Sequence, residues 1–281
     1  MPQSSSGADA APRDGSPTFV LVHGAHSNAA VWSPLVRELA FLGHRALAVD
    51  LPGHGVDAHF PLSYQAPQDL AAFAAQPSPL AELTLADNVA HVVEAVRRLA
   101  RFGPVVLVGS SAGGATITGV GNAVPELLGN IVYASAWCCV DLPSMADYLK
   151  TVGHPGVPLP MINWRTADVD VLAELKHGLM AEATDEQFMA WLNTVEPTEA
   201  PQLLTADAQV RADTWGRVPH TYLRFSRDEA IPLAMQDRMI AEADRLTPGN
   251  PFAVHTVDTG HVGMWLHPTE IARILTDLTL E

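Results

Sequence analysis

Val105-Val106-Leu107-Val108-Gly109-Ser110-Ser111-Ala112-Gly113 is the stretch whose reading decides the fold. Its first four residues are apolar without alternation, as in a strand covered on both faces. Gly109–Gly113 then matches the pattern G-x-S-x-G, and the small residues of Gly113–Gly121 fit a helix packed closely on a sheet. That pattern is common by itself. Between a buried strand and a helix it has a mechanism: the sharp turn strains the serine backbone and lifts Ser111 Oγ off the C-terminal sheet edge. Gly109 and Gly113 let neighbouring backbone approach, and the helix N-terminus adds positive potential and free N–H groups.

Outward from this turn, strands alternate with helical patterns. Thr18–Val22 and Arg45–Val49 are strand candidates upstream, with a helical spacing of apolar residues over Val31–Leu42 between them. Residues 55–82 are rich in Pro, Ala and Gln and read as an insertion or long loop. A helix begins at Thr84, which has capping-box spacing to Asp87, carries a stripe from Val89 to Leu99 and stops at Gly103-Pro104. Downstream, Ile131–Ala136, Thr221–Phe225 and Phe252–Val257 read as strands, and 233–246 and 268–279 as helices. Residues 141–215 lose the strand pattern. They hold a proline-rich loop, His154–Pro160, and helical patterns over 168–181 and 184–193, the second opened by Thr184 and Gln187.

The expected architecture is therefore α/β, a mostly parallel sheet flanked by helices, with an inserted helical cap. Residues 1–17 are expected to be a flexible, solvated tail. Residues 18–140 and 216–281 are expected to form the core, and 141–215 the cap.

Composition narrows the function. With 16 Lys and Arg against 31 Asp and Glu, the net charge is −15 over 281 residues, and no basic run offsets it. A nucleic-acid partner is thereby disfavoured. Apolar stretches are broken by Gly, Pro or charges, so no membrane span is expected. The first 17 residues lack the apolar core of a secretory signal. The 2 cysteines, Cys138 and Cys139, are neighbours and build no disulfide framework, so a reducing cytoplasm is the default. There is no metal-ligand spacing and no dinucleotide fingerprint after the first strand.

A serine hydroxyl needs a base, and that base needs an orienting carboxylate. His261, in Asp258-Thr259-Gly260-His261, follows the last strand and lies at the same sheet edge. Asp228 follows the penultimate strand and completes the chain order Ser…Asp…His. Asp141, after the strand Ile131–Ala136, is a second place from which a carboxylate could reach the histidine. The oxyanion needs two donors. One is the Ala112 N–H; the other comes from His23-Gly24-Ala25-His26-Ser27, with Ala25 preferred over His26. Gly24 leaves room for a carbonyl. The candidate substrate contacts are Gly24, His26, Ser110, Trp137 and Met264. His23 and His54 read as structural. Most of the aromatics Trp164, Phe188, Trp191 and Trp215 read as packing the cap onto the core.

With these residues in order, the chain resembles the α/β-hydrolase superfamily. The resemblance rests on Val22-His23-Gly24-Ala25, Asp50-Leu51-Pro52-Gly53-His54-Gly55, Gly109-Ser110-Ser111-Ala112-Gly113, Arg227-Asp228 and Gly260-His261. Within it the chain looks most like the carboxylesterase and hydroxynitrile-lyase branch, which includes plant methyl esterases. The His-Gly-Ala opening followed by Trp32 and the closing Gly260–Trp265 carry that likeness. The resemblance implies small to medium ester substrates, a serine acyl-enzyme and no cofactor, and the apolar tone of the candidate pocket residues suggests apolar substrates with a hydrophobic or aromatic acyl or alcohol group. Lyases of the branch carry Thr where this chain has Gly24, and often Lys where it has Val262, so both departures favour ester hydrolysis. A lactone-hydrolysing enzyme, a lyase and a non-catalytic small-molecule receptor are the alternatives on the same fold.

Overall fold

Six runs of branched and aromatic residues pair into one parallel sheet in the computed structural model, which describes residues 16–153 and 162–278. They are β1 (Thr18–Val22), β2 (Arg45–Val49), β3 (Val105–Ser111), β4 (Leu128–Ala136), β5 (His220–Phe225) and β6 (Ala253–Val257), in the order β2-β1-β3-β4-β5-β6. The register runs from Thr18 opposite Val105 to Val22 opposite Gly109, so β1 and β3 end side by side. Residues 1–15 of the expected tail and the loop His154–Pro160 lie outside the described residues.

Successive side chains of a strand point to opposite faces. One face of the sheet carries Val20, Val22, Leu107, Ile131 and Tyr133, packed with Val92 and Val96 of the helix Leu85–Leu99 and Ile117 of the helix Gly113–Ala123. The other carries Phe19, Leu21, Val106, Val108 and Val132. These pack with Leu35 and Leu39 of the helix Ser33–Phe41 and with Ile271 and Leu275 of the helix Pro268–Asp277. Burial on both faces is why the central strands lack polar alternation.

The elements depart from the expected bounds where contacts decide. β3 runs on to Ser111, because Gly109 and Ser110 still pair with Tyr133 and Ala134 of β4. β4 begins at Leu128. Phe252 stands outside β6: its ring packs against Trp215, His220 and Tyr222, and its N–H donates to Asp244 Oδ1 at 2.8 Å. Val31–Leu42 divides into a 3-10 turn, Ala29–Trp32, capped by Asn28, and a helix with Pro34 in its first turn. The Thr84–Asp87 and Thr184–Gln187 capping boxes both form.

Residues 55–82 hold two 3-10 turns and a short helix, Leu70–Ala75. Tyr64 and Phe73 stack at 5.2 Å beneath them, and Gln68 hydrogen-bonds Asn163, so this segment is tied to residues that follow β4. Between β4 and β5 the described chain forms the helices Met145–Thr151, Val169–Met180 and Asp185–Trp191 and adds no strand to the sheet. Cys138 and Cys139 are free and buried, and burial pushes both thiols up, Cys139 to about 12, so neither forms a thiolate readily. No helix of the described residues is long and apolar enough to cross a membrane.

Candidate active site

β3 delivers Ser111 at its last position, and the turn into the helix Gly113–Ala123 sets Ser111 at φ +52°. Such a conformation is costly for a residue with a Cβ and persists only when its surroundings hold it. Here the Ser111 carbonyl accepts from Trp137 N at 3.0 Å. A Cβ added at Gly113 would meet the His23 carbonyl oxygen at 2.5 Å, so the helix start is pressed against the end of β1.

Gly24 is closer still to the chemistry. A Cβ there would lie 2.7 Å from Ser111 Cβ and 3.3 Å from Ser111 Oγ. Gly24→Ala should therefore displace Ser111. A shift of this kind costs on the order of 10²-fold in kcat/KM. Ester turnover by the variant measures it, and wild-type kcat/KM in Gly24→Ala would show that the contact does not position the serine.

Asp228 lies after β5, with 3 % of its surface exposed. Its Oδ1 accepts from Ala230 N and Ile231 N at 2.8 and 2.9 Å. Its Oδ2 accepts from Ser135 Oγ and lies 2.6 Å from His261 Nδ1. A carboxylate only accepts, so Nδ1 carries the proton and Nε2 presents a lone pair. Asp141 is elsewhere: it pairs with Arg245 at 2.8 Å on the surface and does not serve the histidine.

Ser135 and Glu182 also belong to this arrangement, though neither stands out in the sequence. Ser135 is fully buried at φ +40°. Its only sequence signal is a polar residue near the C-terminal end of the run Ile131–Ala136. Glu182 Oε1 accepts from Thr259 Oγ1 at 2.6 Å and Gly260 N at 2.7 Å, clasping the loop that carries His261.

A cavity of about 120 Å³ opens at this sheet edge. Ser111, His261, Ala25 and Ala112 line it, as do Gly24, His26, Ser110, Trp137 and Met264. Asp228 stands behind His261, outside the lining. Leu149, Trp164, Leu179, Trp191, Val195 and Leu204, all between β4 and β5, supply further walls. Phe188 stacks behind Trp191 at 6.0 Å, whereas Trp215 stacks on His220 at 4.1 Å, away from the cavity. No group of three or more metal-ligating side chains occurs among the described residues.

The loop 23–28 is braced by buried charge. His54 Nδ1 lies 2.8 Å from Glu196 Oε2, and Nε2 lies 3.5 Å from Glu199 Oε1. Glu196 Oε1 also accepts from Asn28 Nδ2 at 2.7 Å and Gly55 N at 2.8 Å, and Glu199 Oε2 accepts from His26 N at 2.9 Å. Burial works against charge on His54, but the hydrogen bonds and charges of Glu196 and Glu199 outweigh it and raise the imidazole to about 10. Burial also works against charge on Glu199, and its hydrogen bond to His54 holds the carboxyl down at about 2. His23 goes the other way, lowered to about 4 by burial and the His54 charge, and its Nε2 accepts from Leu51 N at 3.1 Å.

This network has a pH signature. A raised histidine contributes stability that is complete below 6.5 and is lost as pH climbs toward about 10. The depressed Glu199 contributes stability that is complete above 4.5 and is lost toward about 2. His23, His26 and His220, all lowered from 6.5, add a slope of the opposite sign that fades as the unfolded histidines lose their protons, and from about 7.5 to about 8 they add little. The wild-type Tm should fall over that interval, and His54→Gln should flatten the fall. An equal slope in both proteins would contradict a charged His54.

A family model for alpha/beta hydrolases matches residues 19–274. The chain is 25% identical to a pyrethroid hydrolase of Sphingobium wenxiniae, over 92% of this chain and 86% of that protein. It is 24% identical to methylesterase 1 of Arabidopsis thaliana, over 90% of this chain and 92% of that protein. Among solved structures, an extracellular alpha/beta-hydrolase from a Paenibacillus species matches with a TM-score of 0.68 at 20% identity, covering 94% of this chain and 100% of that one. At that identity the likeness speaks for the fold. The family match takes in the six strands from the second residue of β1 onward, the Ser111 turn and His261, and the chain belongs to the alpha/beta hydrolase family.

Proposed function

We propose that the protein is a serine hydrolase of carboxylic esters, working through Ser111, His261 and Asp228. The observation that carries this reading is the His261 Nδ1–Asp228 Oδ2 pair at 2.6 Å, with His261 on the same cavity wall as the strained Ser111. Its relatives' names, a pyrethroid hydrolase and a methylesterase, support the same class.

In this mechanism Ser111 Oγ attacks the ester carbonyl while His261 Nε2 takes its proton. Asp228 holds the tautomer and stabilises the imidazolium. The developing oxyanion is held by the N–H groups of Ala112 and Ala25. His261 returns the proton to the leaving alkoxide, and the alcohol departs. A water, deprotonated by His261, then cleaves the acyl-enzyme, releasing the acid and restoring Ser111. Residues 141–215 act as a cap, closing the apolar side of the cavity with Trp164 and Trp191.

The cavity, about 120 Å³, favours small acyl groups. Hydrolysis of p-nitrophenyl esters from acetate to dodecanoate tests both class and size. We expect turnover with an optimum among the short chains. No turnover across the series by folded protein would contradict the reading, and an optimum at dodecanoate would contradict the size.

A further inference from the structure

The loop that carries His261 is held from two sides. On the side of the sheet, Arg227 N donates to the Thr259 carbonyl at 3.0 Å, and Asp228 Oδ2 holds His261 Nδ1 at 2.6 Å. The other side is held by residues between β4 and β5. Gly260 N donates to Glu182 Oε1 at 2.7 Å and Val262 N to the Leu179 carbonyl at 3.3 Å, so both residues flanking His261 are tied to this segment. Thr259 Oγ1 donates to the same Glu182 oxygen at 2.6 Å. The fit is close. A Cβ added at Gly260 would meet Glu182 Oε2 at 3.0 Å and the Leu179 carbonyl oxygen at 3.2 Å.

The clasp needs an acceptor at one place. Both donors converge on Oε1, while Oε2 is closed to solvent and has no hydrogen-bond partner among the described residues. Burial works against charge on Glu182, but the hydrogen bonds from Thr259 and Gly260, with the Arg227 charge, outweigh it and hold the carboxyl below its ordinary value. Gly260 is buried, and a buried N–H without an acceptor is costly. Loss of Glu182 therefore drives the loop toward another partner for that N–H. His261 moves with it, because its backbone is joined to Gly260. The Asp228 bond fixes only Nδ1 and leaves the ring free to pivot Nε2 away from Ser111. Proton transfer needs Nε2 within hydrogen-bond reach, and a misplacement of about 1 Å costs about 10²-fold in rate.

We propose that Glu182 is a positioning residue for the reaction: through Gly260 it fixes the backbone of His261 and so the aim of Nε2 at Ser111. This rests on the ester-hydrolase reading above. Glu182 does not line the cavity, so its loss acts on the chemical steps rather than on substrate binding. Residues 141–215 thereby set the geometry of the base as well as walling the pocket.

Three substitutions separate reach from charge. Glu182→Ala removes the acceptor. Glu182→Asp keeps the charge and is one methylene too short for the clasp. Glu182→Gln keeps an acceptor at full reach and removes the charge. His261 serves acylation and deacylation alike, so loss of its aim lowers kcat whichever step limits and leaves KM in place. With p-nitrophenyl acetate, kcat should fall roughly 10- to 100-fold in Glu182→Ala and Glu182→Asp at nearly constant KM. Glu182→Gln should restore kcat to within about threefold of wild type. Glu182→Asp carries the test if Glu182→Ala does not fold. Wild-type kcat in the alanine and aspartate variants, a raised KM at unchanged kcat, or a loss in Glu182→Gln as deep as in Glu182→Ala overturns the inference. The first outcome would make the clasp idle, the second would make Glu182 a binding residue, and the third would make its charge the active property. In each case Ser111-dependent turnover by wild type leaves the ester-hydrolase reading standing. No turnover by folded wild type overturns that reading, and the inference with it.

Discussion

Ser111→Ala should abolish ester turnover, with kcat falling by roughly 10⁴- to 10⁶-fold and Tm nearly unchanged. The size of the effect follows from covalent chemistry. Without Oγ there is no acyl-enzyme, and only oxyanion donors and binding remain to help a water attack directly. The fold should survive because the site is prepared by other atoms. The Ser111 carbonyl, not its side chain, accepts from Trp137 N, and β3 reaches Ser111 through backbone pairing with β4. Alanine fits the same space and keeps both. Steady-state hydrolysis of a short p-nitrophenyl ester, read beside a thermal melt, checks the two halves together. A variant that keeps more than a tenth of wild-type kcat would remove Ser111 from the mechanism.

Asp228→Asn is the second large effect, a loss of about 10⁴-fold in kcat with little change in KM. An amide nitrogen donates where the carboxylate oxygen accepted. Facing an amide N–H, His261 Nδ1 must give up its proton and Nε2 must carry one, so the lone pair that deprotonates Ser111 is gone. The rest of the site tolerates the change. The amide oxygen can still accept from Ala230 N and Ile231 N, and Ser135 Oγ can turn from donor to acceptor. Asp228→Ala is a poorer test, because it strands those donors in a buried place and mixes stability with catalysis. Near-normal kcat in Asp228→Asn would mean that the carboxylate does not set the His261 tautomer.

The strands were legible because a parallel sheet covered on both faces writes itself as unbroken apolar runs. The Ser111 turn was legible because strand, small residues and helix are adjacent in the chain. Asp228 and His261 followed from their places after β5 and β6. What stayed hidden is what depends on pairing between distant residues. Ser135 meets Asp228 across 93 residues, and His54 meets Glu196 across 142. Nothing local to Pro52-Gly53-His54-Gly55 says that its histidine is charged; the carboxylates that charge it sit between β4 and β5. The tryptophans make the same point. Trp164, Trp191 and Trp215 read alike in sequence, yet two wall the cavity and the third fills the space beside His220 and Phe252. Phe252 reads as strand on its apolar character and instead packs among those rings. In each case tertiary contact, not local pattern, set the outcome.

The central claim is that Ser111 carries the acyl group during ester hydrolysis. The measurement that tests it most directly is peptide mass mapping of protein acid-quenched during turnover of p-nitrophenyl acetate. One acetyl group on Ser111, absent from Ser111→Ala, is the predicted result. Continued turnover with Ser111 unmodified, or with the acetyl group on another residue in step with turnover, would contradict it.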